Sequence, residues 1–433
     1  MIGLSNADDN AATRQARLPG YRVAAAVLLM LLAGPIASSA VPPTQAIQAQ
    51  GEIPEDSLLD VGIQILDPGM PEGDPYSLEA DGYFSDVRKS EARYIPVSLM
   101  ETMQATGNWG AVRVIPAGND HTDLVVKGRI NESSGRKLVL ALQAVDATGR
   151  VWLEKNYKHV ADAAAYHEDQ LARDPFQDLF NRIANDLLAA RDKLDDDELR
   201  RVRQIAQVKF AADLAPEAYG DYLGRNRRGR VVLEKLPADG DPVLERVTRI
   251  RHRDDLFVDT LTEYYANFHA QMSEPYDNWR KFSYEEEVAR RKLKRQARTQ
   301  QILGALGILG GLLMEGNSRE SSAVRQVGVV AGSMAIQSGM AKAQEAKLHV
   351  EALRELASSF DSEVAPLLVD VEGQTMRLSG SIETQYITWR QLMRDFFVSE
   401  TGFPLHPDTG QQVAVEVPDA PQDPAVRDDE IRN

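Results

Sequence analysis

Few residues in this sequence stand at spacings that chemistry requires. The chain has seven histidines and no cysteine. His159 and His167 are the nearest pair, with Glu168 and Asp169 beside the second. Zinc sites built on one element use tighter repeats such as H-E-x-x-H, and none occurs, so the pair reads as chance rather than a metal site. The acidic run Asp195-Asp196-Asp197-Glu198 lacks the alternating ligands and central glycine of a calcium loop. It stands where carboxylates suit the start of a helix and reads as a cap. No serine sits in a G-x-S-x-G elbow. Gly304 to Gly311 lack the lysine and the preceding strand of a phosphate loop. No catalytic residue, cofactor or metal is expected.

Charge offers more. Three basic clusters occur: Arg225, Arg227, Arg228 and Arg230 in RNRRGR; Arg249, Arg251 and Arg253 in RVTRIRHR; and the run RRKLKRQAR from Arg290 to Arg298. The first two make a candidate patch for a polyanion such as peptidoglycan or lipopolysaccharide phosphate, against the favoured reading of solvated helix faces. Net charge is −16, and loss of residues 1–40, with three Arg and two Asp, moves it to −17. Nucleic acid is therefore not expected as a partner.

Glycine supplies the other unusual pattern. Gln300 to Lys347 holds ILGALGILGGLLMEG and, after a polar turn, VGVVAGSMAIQSGMAKAQEAK. Gly304, Gly307 and Gly311 share one helical face of the first run, and Gly328, Gly332 and Gly339 one face of the second. Each glycine costs ~0.5–1 kcal/mol in a helix interior. Close helix contact gives that cost a purpose, so the segment reads as a helical hairpin that buries itself or joins copies of the chain. The run Ile302–Met314 is too short to cross a bilayer alone. Its basic flank nevertheless admits an alternative in which the hairpin inserts into a membrane after oligomerisation.

The elements that would position these groups follow from periodicity. The N-terminus carries Arg14, Arg17 and Arg22, the apolar run Val23–Ala33, and small residues at Ser38 and Ala40, the pattern of a secretory signal cleaved after Ala40. An uncleaved anchor is the alternative. Val41–Asp56 lacks an apolar period and reads as a tether. Leu59, Val61, Ile63 and Ile65 alternate as in a strand. Ser90 is expected to cap a helix bearing Ala92, Ile95, Leu99 and Met103 and stopping at Thr106-Gly107. Strands follow at Ala111–Pro116, Asp123–Ile130, Lys137–Asp146 and Val151–Tyr157, the last two joined through Ala147-Thr148-Gly149. Asp174-Pro175 then opens a helix with Phe176, Leu179, Phe180, Ile183, Leu187 and Ala190 on one face. The predicted class is α+β: a β-α-β-β-β-β-α domain, then a mainly helical region, the glycine-rich helical hairpin and a small β-hairpin.

The stretches Leu59–Leu66, Ala92–Gly107, Val112–Ile115, Asp123–Ile130 and Leu138–Leu153 resemble the small α/β domain of bacterial envelope accessory proteins, the CsgG and TolB N-terminal type. The resemblance covers the N-terminal third. It implies an exported protein that binds an envelope partner. The absence of cysteine removes a lipid anchor, and no long amphipathic strands of a channel are seen. LAPEAYGDYLGR, Leu214–Arg225, is similar to the start of the helical repeats that follow such domains.

The expected organisation is a signal at 1–40, a tether at 41–56, the α/β domain at 57–194, a helical region at 195–299, the glycine-rich hairpin with a β-hairpin and final helix at 300–403, and a disordered tail at 404–433. The expected function is a non-catalytic envelope accessory protein of the periplasm or the inner face of the outer membrane. It would bind an envelope protein, with possible outer-membrane or peptidoglycan contact, and form homo-oligomers.

Overall fold

The computed structural model describes residues 43–74, 78, 84–119, 121–167, 173–238, 240–313, 348–356, 358, 367–371 and 374–402. The signal, the tail and most of the glycine-rich hairpin, including Gly328, Gly332 and Gly339, lie outside these residues. The unit considered below spans Thr44–Asn433.

A five-stranded mixed sheet forms the centre. Its strands are β1 (Val61–Gln64), β2 (Val112–Ile115), β3 (Leu124–Ser133), β4 (Lys137–Asp146) and β5 (Val151–Val160), in the order β2-β1-β3-β4-β5. β1 runs parallel to β2 and β3, with Ile63 opposite Val114 and Val126, while β3, β4 and β5 are antiparallel. Two helices cover one face: α1 (Ser85–Gln104) through Ile95, Leu99 and Met103, and α2 (Gln177–Arg191) through Leu179, Phe180, Ile183 and Leu187. The element order matches the expected one. β3 and β5 run further than expected, β3 because a bulge between Ile130 and Glu132 restores its register.

α1 starts at Ser85, five residues before the expected cap. Val87 extends the apolar face by a turn and packs with Tyr94, so Ser90 is buried inside the helix and caps nothing. Pro96 sits within α1 and has no N–H for the Ala92 carbonyl. That carbonyl instead accepts the amide of Leu66 at 3.0 Å, tying the end of β1 to the helix.

The expected tether is not free. Asn181 Nδ2 donates to the Thr44 carbonyl at 2.7 Å, and Asn185 brackets the next residues through the Gln45 carbonyl and the Ile47 amide. Asn108 Nδ2 donates to the Ile47 carbonyl, and the Ala49 amide to Thr106. Apolar periodicity missed this because the segment is held by its backbone.

α3 (Asp196–Leu214) opens with a reciprocal capping box between Asp195 and Glu198, so the acidic run is a helix start. Among the described residues, Leu214–Arg225 does not open a helical repeat. A four-residue helix, α4 (Pro216–Tyr219), gives way to a hairpin of β6 (Leu223–Arg225) and β7 (Val231–Leu233). Asn226 Oδ1 accepts the amides of Arg228 and Arg230, and Gly229 takes φ +74°, a turn that side chains there rarely allow.

α5 (Pro242–Leu313) is one helix of 72 residues, roughly 108 Å at 1.5 Å per residue, and it runs straight through the expected border at 299/300. It covers the β2 edge, where Thr262 Oγ1 donates to the Val114 carbonyl at 3.2 Å and Arg113 pairs with Asp259 at 2.6 Å. Residues 348–356 are helical and lie beside it, with Val350 and Leu353 packed on Tyr276 and Trp279. β8 (Leu367–Val371) and β9 (Gln374–Leu378) form the expected hairpin. α6 (Ile382–Thr401), capped by Ser381 Oγ on the Thr384 amide, stacks Trp389 on Phe257 with centroids 4.7 Å apart.

Candidate functional site

Ionisable groups gather where the sheet meets α3, α5 and α6. Asp60 and Asp123 stand just before β1 and β3, at the starting end of two parallel strands. The loop from β2 to β3 adds His121, α3 adds Arg203 and Asp213, α5 adds Arg251, Asp254 and Asp255, and α6 adds Arg390 and Arg394. Two adjoining cavities that share Asp60, Arg251 and Asp255 are lined by His121 and Asp254 on one side and by Asp123 and Arg203 on the other, while Asp213, Arg390 and Arg394 stand behind this lining. The inner one holds about 20 Å³, room for a water molecule, and the outer one about 440 Å³.

Each acid is held by something specific. Asp60 accepts the Ala111 amide at 2.8 Å and faces Arg113 at 3.7 Å, and its own amide donates to Asp123 Oδ2 at 2.9 Å. Arg203 approaches Asp123 at 3.9 Å. Burial pushes the Asp123 carboxyl up to about 6, against the Asp60 amide and Arg251. Burial raises Asp254 and Asp255 as well. Asp254 receives Trp389 Nε1 at 3.1 Å and Arg390 at 3.3 Å. Burial would also lift Asp213, but Arg390 and Arg394 hold it below its ordinary range, Arg394 donating at 2.8 Å.

His121 sits 3.7 Å from Asp213, yet burial, followed by the positive charge of Arg390, drives its pKa down to about 3. The ring is neutral at physiological pH and lies edge-on to Phe210. The Arg390 and Arg251 guanidiniums stand 4.7 and 5.9 Å from the same phenyl ring. Arg251 also donates to the His121 carbonyl at 3.4 Å. The arrangement sets fixed opposite charges around a polar cleft.

A second buried network fastens α5 to the domain. Glu91 on α1, with a fully buried side chain, accepts Ser133 Oγ at 2.6 Å and Tyr276 OH at 2.8 Å, with Arg88 at 3.7 Å. Burial raises its pKa despite Arg88. One turn along α5, Arg280 bonds Asp174 at 2.9 Å and also Asp277. Its guanidinium lies 4.4 Å from the Tyr276 ring. Gly135, in the β3–β4 turn, lets this contact form: a Cβ there would stand 1.8 Å from the Arg280 carbonyl oxygen. His269, stacked on Tyr94 at 3.9 Å and bonded to Ser98 at 3.0 Å, is pushed down to about 4 by burial.

The expected anion patch is dispersed. Arg225, Arg227, Arg228 and Arg230 belong to the β6–β7 hairpin, not to a helix face, and Arg225 donates to the Gly229 carbonyl at 3.0 Å. On α5, Arg249 is exposed, Arg251 enters the cleft, and Arg253 lies 5.0 Å from the Phe396 ring. With Val247 and Ile250 buried, Arg249 and Arg253 share the exposed face at i, i+4, while Arg251, two residues from each, turns away from them. Gly304, Gly307 and Gly311 fall in the last turns of α5. His159 lies edge-on to Phe176, while His167 is exposed.

Sequence reasoning missed His121, Asp123, Asp254 and Arg390 in the cleft, and Glu91 and Arg280 in the fastening network. The available signal was a charge inside an apolar period, as with Glu91 beside Ala92 and Arg390 beside Trp389. No family model, curated protein or solved structure matches the chain.

Proposed function

We propose that this chain is a non-catalytic, exported accessory protein of the bacterial envelope, in which the α/β domain is the docking platform and the glycine-rich segment is the assembling arm. The carrying observation is the pair Phe282 and His349. Their ring centroids lie 5.7 Å apart, although 66 residues of chain separate them. Everything between leaves and returns at one place on the domain, as a hairpin arm would. α5 carries that arm outward for 31 residues past Phe282, roughly 47 Å. The last turns hold the first glycine face, and close helix approach is what such a face serves.

The mixed-charge cleft supplies the docking side, with Asp56, Arg200 and Arg203 at its mouth for an envelope partner of complementary charge. Export rests on the apolar run Val23–Ala33 and the small residues before Val41. The order of strands and helices is consistent with a CsgG or TolB N-terminal type of domain. Among the described residues no helix is long and apolar enough to cross a membrane.

Crosslinking with mass spectrometry on intact cells tests the reading. It predicts links from the cleft to one recurrent envelope protein and links between arms of separate copies, with the chain in the fraction that does not pellet. Recovery with membranes after a carbonate wash, with no recurrent partner, would replace it by the bilayer-inserting reading of the same arm.

A further inference from the structure

The two edges of the five-stranded sheet are treated differently. The β2 edge is covered by α5, whereas β5 lies on the opposite edge with Glu154, Lys155, Asn156 and Lys158 exposed. The Ala161 amide bonds the Arg136 carbonyl, so by the alternation of an antiparallel ladder His159, Tyr157 and Lys155 turn their backbone groups toward β4. Lys158, Asn156 and Glu154 turn theirs outward. The Lys158 carbonyl agrees, since it accepts Arg182 at 2.8 Å from outside the sheet. Among the described residues the outward backbone groups of these three positions receive that one hydrogen bond. From Leu153 to Val160 the strand has no proline and no bulge, two of the devices by which edge strands refuse partners.

We propose that β5 pairs antiparallel with β5 of a second copy across a two-fold axis at Asn156. Charge fixes both the partner and the register. Outward residues must face outward residues, so the axis falls on one of a few positions. Centred on Glu154, Lys155 or Lys158, like charges would meet, and centred on Tyr157, Glu154 would face Val160 with no charge partner. Centred on Asn156, Glu154 of each copy faces Lys158 of the other, twice. Val160, 39 % exposed in the single chain, lies two residues beyond the Lys158 end of this pairing and would be partly covered by it. Isologous pairing of this kind closes on itself, because each copy spends its open edge once. Arg182 gives up the Lys158 carbonyl to the incoming strand and stays beside Asp186, one turn further along α2. The contact is separate from the glycine faces of the arm, so loss of either leaves the other standing.

The chain lacks cysteine, so one introduced thiol reports the axis alone. Paired residues in such a ladder lie about 5.5 Å apart at Cα, within disulfide reach. In the full chain under mild oxidation, Asn156→Cys is expected to form a linked dimer about tenfold faster than Lys89→Cys, an exposed position on α1. Adding Lys158→Glu to Asn156→Cys should abolish that advantage, and adding Glu154→Lys as well should restore it. Linking no faster than Lys89→Cys, or a rate indifferent to Lys158→Glu, would overturn the pairing. Restoration by the double charge exchange separates lost pairing from lost folding.

Discussion

The two parts of α5 obey different rules. From Val258 to Trp279 the residues Val258, Leu261, Tyr265, Phe268, Met272 and Tyr276 recur at three and four, and each is at most 3 % exposed. Burial of such side chains contributes ~1.5–3 kcal/mol apiece, so the domain dictates this part of the helix. Beyond Arg280 the same stripe would fall on Ser283, Glu287 and Arg290, and it ends. Val288 is 41 % and Leu293 63 % exposed. Ser283 and Glu287 still bond Gly135 and Ser134, and Tyr284 meets Tyr166, but from Val288 onward the stretch is helical through intrinsic propensity and pairs such as Glu287–Arg291 at 2.6 Å. A helix can thus be continuous in geometry and divided in cause, with the division marking where the domain stops and the arm begins.

The comparison breaks most visibly at the fastening network. Arg280→Ala strips Asp174 of its buried partner and is expected to cost about 3–5 kcal/mol in urea unfolding. Glu91→Gln keeps an acceptor for Tyr276 and Ser133, and should cost less than Glu91→Ala. Tyr276→Phe removes one hydrogen bond to that carboxyl and should cost about 1–3 kcal/mol.

Acid gives an effect of similar reach. His269 has its pKa depressed from 6.5 to about 4, so the unfolded chain binds the proton first, and stability falls as pH drops through that window. The slope approaches about 1.4 kcal/mol per pH unit for one proton. His121, depressed to about 3, acts in the same direction. Asp123, raised to about 6, opposes both: its folded form holds the proton longer, so its contribution falls as pH rises from about 4 to about 6. Denaturation series at stepped pH should therefore show a shallower slope in His269→Gln and a steeper one in Asp123→Asn.

The smallest effects belong to the arm. Leu293→Lys and Arg291→Ala should each change unfolding free energy by less than about 0.5 kcal/mol. Gly307→Leu should leave unfolding unchanged but lower the mass seen by light scattering, since the arm's role is between molecules. An unchanged mass would count against glycine-mediated assembly.

Much of the sheet domain was legible because its strands alternate and its helices carry apolar faces at 3.6 spacing. The β4–β5 hairpin could be read from Gly149, which takes φ +81°. What could not be read was long-range. Asn181 and Asn185 hold the segment before β1 by side chain to backbone, and no period announces that. The β6–β7 hairpin was hidden in a basic run whose Asn226 and Gly229 set the turn. The apolar stripe of α5 at Tyr265, Phe268, Met272 and Tyr276 has helical spacing, but dense charge around it kept it from being read. The cleft was illegible since its residues come from five segments far apart in sequence, and none forms a local motif.

Hydrogen exchange with mass spectrometry on the full chain reads the division of α5 directly. The account predicts that amides from Val258 to Trp279 exchange only with global unfolding, while those from Val288 to Arg295 exchange orders of magnitude faster in dilute protein. Uniform protection along both parts would contradict it, because the second part would then be held by the domain after all.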